Sequence, residues 1–543
     1  MGGIAVRIKR RHRMKAVFSI AASAIMTFSL FTPAVVNAET STKSNQVVQA
    51  KVSKRLVNEF NDDSKITFLV KFREKADTMR VAKQAKASSQ RAQVTAEKAE
   101  LTQRSAVLTE LKETSLDTQQ NVRQFLAEEA KKGNVESFKS YHIVNGMAVT
   151  ATKDTANKIA GFEEVEKVLP NETRELFTAV RQDAEAPASR IANVEWNVER
   201  IGAPAVWDMG FDGSGVTVAS IDTGVQWDHP ALKEKYRGYD AASGEVSHDF
   251  NWFDATAGEA APYDDQGHGT HVTGTMVGSE ADGSNQIGVA PGADWIAVKA
   301  FSATGGTDAD LLEAAEWILA PTDAEGNAHV EMAPDIVNNS WGGGSGLDEW
   351  YRDVVQNWRA AEIFPEFSAG NTTLTNPGGP ESVAVPANYP ESFATGATDL
   401  NDQLGSFSLQ GPSPYEEIKP EISAPGVNIR SSVPGGGYEG GWNGTSMAGP
   451  AVSGVVALMK QADSSLTVDE IEQAIISTAN PLTDSEFPES PNNGYGYGLI
   501  NASDAVSSIV PGVGTTQRQL KKTVVNQDVA IAFVNQHRIA LMR

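Results

Sequence analysis

Three short segments of the chain carry side chains whose types suit acyl transfer. Asp222 closes the apolar run of Val218-Ala219-Ser220-Ile221-Asp222-Thr223-Gly224, and a carboxylate at the end of a buried strand needs a partner for its charge. His268 lies in Asp265-Gln266-Gly267-His268-Gly269-Thr270-His271, a glycine-rich loop that runs into a helix. Ser446 stands in Asn443-Gly444-Thr445-Ser446-Met447-Ala448-Gly449-Pro450, at the first turn of an apolar helix and among small residues. A serine hydroxyl is a weak nucleophile at neutral pH; it needs a base such as histidine to take its proton, and the imidazolium then needs a fixed carboxylate. Asp222, His268 and Ser446 supply these groups in that chain order.

Each residue taken alone has a plainer reading. Asp222 suits a turn or a helix N-cap, and Ser446 an N-cap. His268 and His271, three apart on a helix, could ligate a metal. No HExxH pattern accompanies them, however, and Gly269 beside His268 marks a close backbone approach at a helix start. His271 is expected to face inward, for packing or a supporting hydrogen bond, leaving His268 to face a cleft.

The segments that must position these groups alternate short apolar strands with helices between Gly- and Pro-rich turns, from about 193 to 508. Strands are expected at 216–221, 295–300, 336–338 and 363–368, and helices at 270–278, 309–319, 350–361, 446–460 and 467–478. This is the texture of an α/β domain with a mostly parallel sheet, long enough to bury a core without disulfides. The preceding region has another character. A strand at 66–72 is followed by an Ala/Lys/Gln/Glu-rich helical stretch, 76–132, ended by Gly133-Asn134. Strands at 135–141 and 143–151, joined near Asn145-Gly146 or one turn earlier, a helix at 152–161 and a strand at 165–169 complete a β, α, β, β, α, β order, that of a small split βαβ domain. The alternative is a solvated helical linker with some strands.

Composition narrows the function. The 543 residues contain no Cys, which removes disulfides, thiolate metal sites and cysteine nucleophiles, and the formal charge of −23 argues against nucleic acid as a partner. Arg7, Lys9, Arg10, Arg11, Arg13 and Lys15 precede an apolar run at 16–31 and the small-residue end Val36-Asn37-Ala38. Residues 1–38 therefore read as a secretory signal peptide, with an apolar run short for a membrane span; a retained anchor is the competing reading. Its removal takes six basic residues and leaves a charge of −29. At the other end, Arg518, Lys521, Lys522, Arg538 and Arg543 face the single acid Asp528. The tail, 509–543, is atypically basic, as a truncated or frame-shifted end or as an ordinary disordered tail.

Ser-Ile-Asp-Thr-Gly-Val around Asp222, Gly-His-Gly-Thr-His-Val-Thr-Gly-Thr around His268 and Gly-Thr-Ser-Met-Ala-Gly-Pro around Ser446 together resemble the subtilisin family of serine proteases, whose triad has this chain order. The resemblance implies a subtilisin-like α/β catalytic domain over 191–508, its parallel sheet flanked by helices, preceded over 39–190 by a small α+β, ferredoxin-like βαββαβ prodomain. It assigns Asp222 as the orienting acid, His268 as the general base and Ser446 as the nucleophile. Asn371, at the end of Phe367-Ser368-Ala369-Gly370-Asn371, becomes the side-chain donor of the oxyanion hole, with the Ser446 N–H as the second donor. Ser340, Trp341 and Gly342 correspond to the edge on which an extended peptide adds as an antiparallel strand, and Ser368, Ala369 and Gly370 to the wall of the pocket for the residue before the scissile bond. Trp341 stands where many relatives carry Leu. It is expected either to reshape the neighbouring subsites or to serve as a core aromatic.

By the same resemblance the chain is a secreted, extracellular endopeptidase of protein or peptide substrates, made as a zymogen. Its own propeptide acts as intramolecular inhibitor until it is cut off between about 176 and 193. A monomer is expected, with no nucleic-acid partner and no membrane association after signal cleavage. The chemistry requires no cofactor. Ca²⁺, the usual ion of the family, is expected as a stabiliser; the stretch 282–287 offers oxygen ligands but fits no EF-hand pattern, so no metal ligands are assigned. Two other function classes compete. A secreted esterase or lipase is disfavoured because Ser446 does not sit in a GxSxG elbow and the triad order differs. A binding protein that keeps the fold without catalysis would lack a triad member, and none is missing.

Overall fold

The computed structural model describes residues 50–61, 64–177, 180–181 and 193–510. The signal segment, residues 511–543 of the basic tail and most of the stretch expected to hold the maturation cut lie outside the described residues. All described residues belong to one compact unit.

Among the described residues the N-terminal region contains α1 (Lys54–Glu59), β1 (Lys65–Phe72), α2 (Thr78–Ala92), α3 (Ala96–Thr118) and α4 (Gln120–Lys131). It continues with β2 (Val135–Tyr141), β3 (Gly146–Thr152), α5 (Lys153–Ala160) and β4 (Val165–Pro170). The four strands form an antiparallel sheet in the order β2-β3-β1-β4. Phe68, Val70 and Phe72 alternate onto one face of β1 and pack with Leu126, Val149, Ile159 and Val168. The helical stretch expected over 76–132 is three helices. Gln93 adopts a left-handed φ of 51° that closes α2, and the Thr95 side chain accepts from Lys98 N to start α3. Gln119, between α3 and α4, is fully buried and donates to the Tyr141 carbonyl and to Asn145 Oδ1. The strand expected from 143 begins only at Gly146, because Asn145 turns the chain with φ 44°.

The second region is built on a seven-stranded parallel sheet. Its strands are β7 (Thr217–Asp222), β8 (Trp252–Asp254), β9 (Asp294–Lys299), β11 (Ile336–Asn339), β13 (Phe364–Ser368), β14 (Phe393–Thr398) and β15 (Ile422–Pro425), in the order β15-β14-β13-β11-β7-β9-β8. Sequence neighbours go to opposite faces, as a sheet covered on both sides requires. Val218, Trp295 and Ala297 join one core with α6 (His268–Val277) and α9 (Thr445–Ala462), whereas Ala219, Ile221, Ile296 and Val298 join another with α7 (Asp308–Leu319) and α8 (Arg352–Ala360). Strands β14 and β15 escaped sequence reading because Phe-Ala-Thr-Gly-Ala-Thr and Ile-Ser-Ala-Pro are weak strand patterns.

The N-terminal sheet lies against α7 and α8, so that Leu69, Tyr141, Ile143 and Ala148 share a core with Leu311, Ala315, Val354 and Trp358. Polar anchors fix the contact. The His142 and Ile143 N–H groups donate to Glu316 Oε2 at 2.7 and 3.2 Å, and Asn357 exchanges hydrogen bonds with Thr78 and the Ile143 carbonyl, both 2.7 Å. On α3, the buried Arg104 guanidinium donates to the carbonyls of Ala361, Ala333 and Pro334 at 3.2, 3.2 and 3.0 Å.

Between the two regions the described residues include two short strands. β5 (Thr173–Leu176) is the middle of a three-stranded antiparallel sheet between β10 (Gly306–Thr307) and β12 (Trp341–Gly342). β6 (Val180–Arg181) adds to a hairpin of β16 (Ile429–Val433) and β17 (Gly437–Asn443), opposite Trp442 and Asn443.

Candidate active site

The parallel topology delivers the ends of β7, β11 and β13 to one edge, where α6 and α9 begin. Asp222, the last residue of β7, is fully buried. It accepts from its neighbour Thr223 N at 2.7 Å and faces His268 Nδ1, which lies 2.8 Å from Oδ1 and 3.0 Å from Oδ2. His268 is the first residue of α6, after Gly267 at φ 88°. The loop before it is organised by Asp264, whose Oδ1 accepts from Thr223 Oγ1, Gln266 N and Gly267 N and whose Oδ2 accepts from Thr270 N and Oγ1. Gly269 is obligatory, because a Cβ there would lie 2.1 Å from the Gly224 carbonyl oxygen. Burial pulls the His268 pKa down, but the charge and hydrogen bond of Asp222 outweigh it and hold the imidazole above its ordinary value. With Nδ1–H committed to Asp222, Nε2 is the nitrogen left to accept a proton; among the described residues it has no hydrogen-bond partner. His271 is buried and stacks on Trp442 with ring centroids 4.3 Å apart, whereas His268 meets the same indole only at 6.4 Å and a tilt and is turned to Asp222.

Ser446 occupies the second position of α9, where backbone N–H groups have no intrahelical acceptor. Its hydroxyl donates toward the Phe177 carbonyl at 3.2 Å and the Ser340 carbonyl at 3.3 Å. Asn371 follows β13. Its Oδ1 accepts from Thr445 N and Oγ1, both 2.9 Å, which settles the amide orientation. Nδ2 then lies on the Gly444 side, 3.1 Å from where a Cβ on Gly444 would be. Thr445 is thus a positioning residue that sequence reading passed over, since a threonine beside a serine at a helix start carries no distinguishing pattern.

The two expected walls meet the extended segment unequally. On the edge, Trp341 pairs with Leu176 and Gly342 with Glu175, and the Ser340 carbonyl accepts from Phe177 N at 3.5 Å. The Trp341 indole is fully buried against Phe301, Tyr351 and Phe367, so its side chain faces the core while its backbone faces the segment. On the other wall, Gly370 lies against the Phe177 ring, 3.3 Å from the site of an added Cβ. Ser368 instead turns its hydroxyl to the Thr445 carbonyl at 3.0 Å, and Ala369 is buried in the core. The Phe177 ring packs with Ala384 and Leu409, and a Cβ on Gly342 would fall 2.4 Å from it.

The stretch 282–287, to which no metal ligands are assigned, has several of its side-chain oxygens engaged in hydrogen bonds. Asp282 Oδ1 accepts from Ser284 N, Asn285 Oδ1 accepts from Arg430 Nη2 at 2.8 Å, and Glu280 accepts from Ser284, Asn285 and Tyr438. The Arg430 guanidinium, paired also with Glu195, thus reaches one of these oxygens, that of the Asn285 side chain.

This combination of doubly covered parallel sheet, Asp–His pair and serine at a helix start defines a class, and comparison with known proteins agrees. The subtilase family pattern matches residues 213–498 and the peptidase inhibitor I9 pattern matches 67–177, ending at the residue whose carbonyl meets Ser446. The chain belongs to the subtilase family of serine peptidases and carries an I9 prodomain at its N-terminal side. It is 60% identical to Bacillopeptidase F of Bacillus subtilis (strain 168) over 483 residues, which is 88% of this chain and 34% of that protein. It is 34% identical to Subtilisin E of the same strain over 315 residues, 58% of this chain and 71% of the relative, and 34% identical to M-protease of Shouchella clausii (strain KSM-K16) over 327 residues, 60% and 73%. The chain thus spans about a third of the length of Bacillopeptidase F. Among the described residues no helix is long and apolar enough to cross a membrane.

Proposed function

We propose that the chain is the precursor of a secreted serine endopeptidase that cuts itself free of residues up to Phe177 and then hydrolyses protein substrates. The observation that carries this reading is the Phe177 carbonyl 3.2 Å from Ser446 Oγ, at the end of a strand held in the cleft. Ser446 Oγ attacks the carbonyl carbon of the residue in that position as His268 Nε2 takes the hydroxyl proton. The tetrahedral oxyanion is stabilised by Asn371 Nδ2 and the Ser446 N–H. His268 then gives the proton to the leaving amine, the carbon–nitrogen bond breaks, and an acyl-ester on Ser446 remains. Water, deprotonated by the same imidazole, releases the acid and restores the serine. Asp222 fixes the tautomer and stabilises the imidazolium.

In this reading residues 39–177 form an inhibitor held in the cleft as a slow first substrate. Strand pairing on both sides of Phe177, with β12 before it and β17 after it, supports Phe177–Thr178 as the first bond cut. Further trimming toward 190 would generate the domain of 191–508. The test is intact-mass spectrometry of the purified chain beside Ser446→Ala, with casein digestion and fluorophosphonate labelling of both. The parent should lose its N-terminal region, digest casein and gain the label, while the variant stays full-length and inert. Equal processing of both chains without digestion would overturn the reading.

A further inference from the structure

The segment in the cleft presents one side chain of unexpected chemistry. Arg174, the fourth residue before the Phe177–Thr178 bond, is only 7% exposed. Its guanidinium lies on the second region: Nε donates to Asp308 Oδ1 at 2.7 Å and Nη2 to Asp308 Oδ2 at 3.2 Å, a bidentate fork. Nη1 lies 3.4 Å from Asp348 Oδ2, and the guanidinium carbon lies 4.5 Å from the Trp350 ring centroid. The backbone leaves room for it, since a Cβ on Gly343 would come within 2.9 Å of Nη1.

These groups form a built receptor for a planar cation. Asp308 is 2% exposed at the first turn of α7, where it also accepts from Glu172 N at 3.3 Å. Burial pushes its carboxyl up to about 6 even with the guanidinium beside it. When the segment leaves, Asp308 and Asp348 are left as two neighbouring carboxylates without their cation, a state that a returning guanidinium relieves.

Resting on the protease reading above, we infer that the enzyme selects arginine at the fourth position before the scissile bond, through a pocket formed by Asp308, Asp348 and the face of Trp350. Lysine matches the charge but not the fork or the stacking. The propeptide, with Arg174-Glu175-Leu176-Phe177, then displays the enzyme's own preferred sequence.

The test uses the full chain after it has processed itself, or after added trypsin has removed the N-terminal region, with active sites counted by fluorophosphonate. Four p-nitroanilides, acetyl-Xaa-Glu-Leu-Phe with Xaa as Arg, Lys, citrulline or Ala, are compared by kcat/KM. Arginine is expected to exceed alanine by about 10²-fold, with uncharged citrulline close to alanine, because the buried carboxylate is then left unpaired. Asp348→Asn, at a half-exposed side chain, should narrow the ratio severalfold. If the enzyme takes up the label and cuts the Arg and Ala peptides within twofold of one another, the pocket assignment falls and the protease reading stands. If no serine is labelled and nothing is cut, the protease reading falls. Calorimetric binding of acetyl-Arg-Glu-Leu-Phe against its Ala analogue then decides the pocket: tighter binding of the arginine peptide upholds it, and equal binding overturns it.

Discussion

Truncating Phe177 to alanine tests whether the cleft is organised around that residue. Its ring is 7% exposed, sits between Gly342 and Gly370 and packs on Ala384 and Leu409. Phe→Ala in a packed interior costs about 3–5 kcal/mol. The lower end applies here, since the neighbouring strand pairing can still hold the backbone. A loss of about 3 kcal/mol in seating the scissile carbonyl corresponds to about 10²-fold slower cleavage. The assay refolds the purified chain from denaturant, quenches aliquots in acid and follows intact mass over time, at two protein concentrations that distinguish cleavage within one chain from cleavage between chains. Phe177→Leu should fall between parent and Phe177→Ala. The reasoning is refuted if Phe177→Ala processes at the parent's rate within threefold at the same bond, or if the parent is first cut elsewhere.

Asn371→Ala should lower kcat by about 10²–10³ with little change in KM, as expected for loss of one oxyanion donor; an unchanged kcat, or a loss confined to KM, would remove Asn371 from that role. Because His268 is held above its ordinary value, it is protonated and unable to act as base over a wider acid range, so kcat/KM should fall as pH drops with a midpoint above about 6.5. Asp222→Asn should shift that midpoint down, since burial alone lowers the imidazole, while reducing kcat by about 10⁴; a midpoint that stays in place speaks against the pairing. Arg104→Met removes charge-assisted bonds to three carbonyls from a buried position and should destabilise the Ser446→Ala full chain by about 3 kcal/mol in urea unfolding. A change below about 0.5 kcal/mol would mean that water replaces the guanidinium.

Much of the candidate site was legible because its residues lie in contiguous motifs. Asp222, His268, Asn371 and Ser446 each sit where an apolar run meets a Gly-rich turn, and such junctions survive without knowledge of tertiary contacts. What sequence reading missed depends on distance along the chain. Arg174 and Asp308 are 134 residues apart, and nothing around either residue signals the other. Phe177 ends an unremarkable run, Arg-Glu-Leu-Phe, whose importance arises only from insertion between β10 and β12. Trp341, read as either a subsite residue or a core aromatic, is the latter, and only its neighbours in space, Phe301, Tyr351 and Phe367, decide between the two. Glu366 shows the same limit: a carboxyl fully buried in β13, pushed by burial well above its ordinary range, lies against Gly449, whose added Cβ would fall 2.5 Å from Oε1. The break of the long helical stretch at Gln93 likewise escaped notice, since glutamine is not a usual left-handed residue.

The three carbonyls that receive Arg104 have a consequence for how the two regions can diverge. All three acceptors, at Ala333, Pro334 and Ala361, belong to main chain and are present whatever side chains these positions carry. The protease half therefore cannot discard its end of the clamp by substitution unless the backbone itself moves, whereas the inhibitor half can lose its end through a single codon. Variation in how long the inhibitor stays should accordingly accumulate on α3, and an engineered inhibitor of altered residence would be sought there, leaving the enzyme untouched.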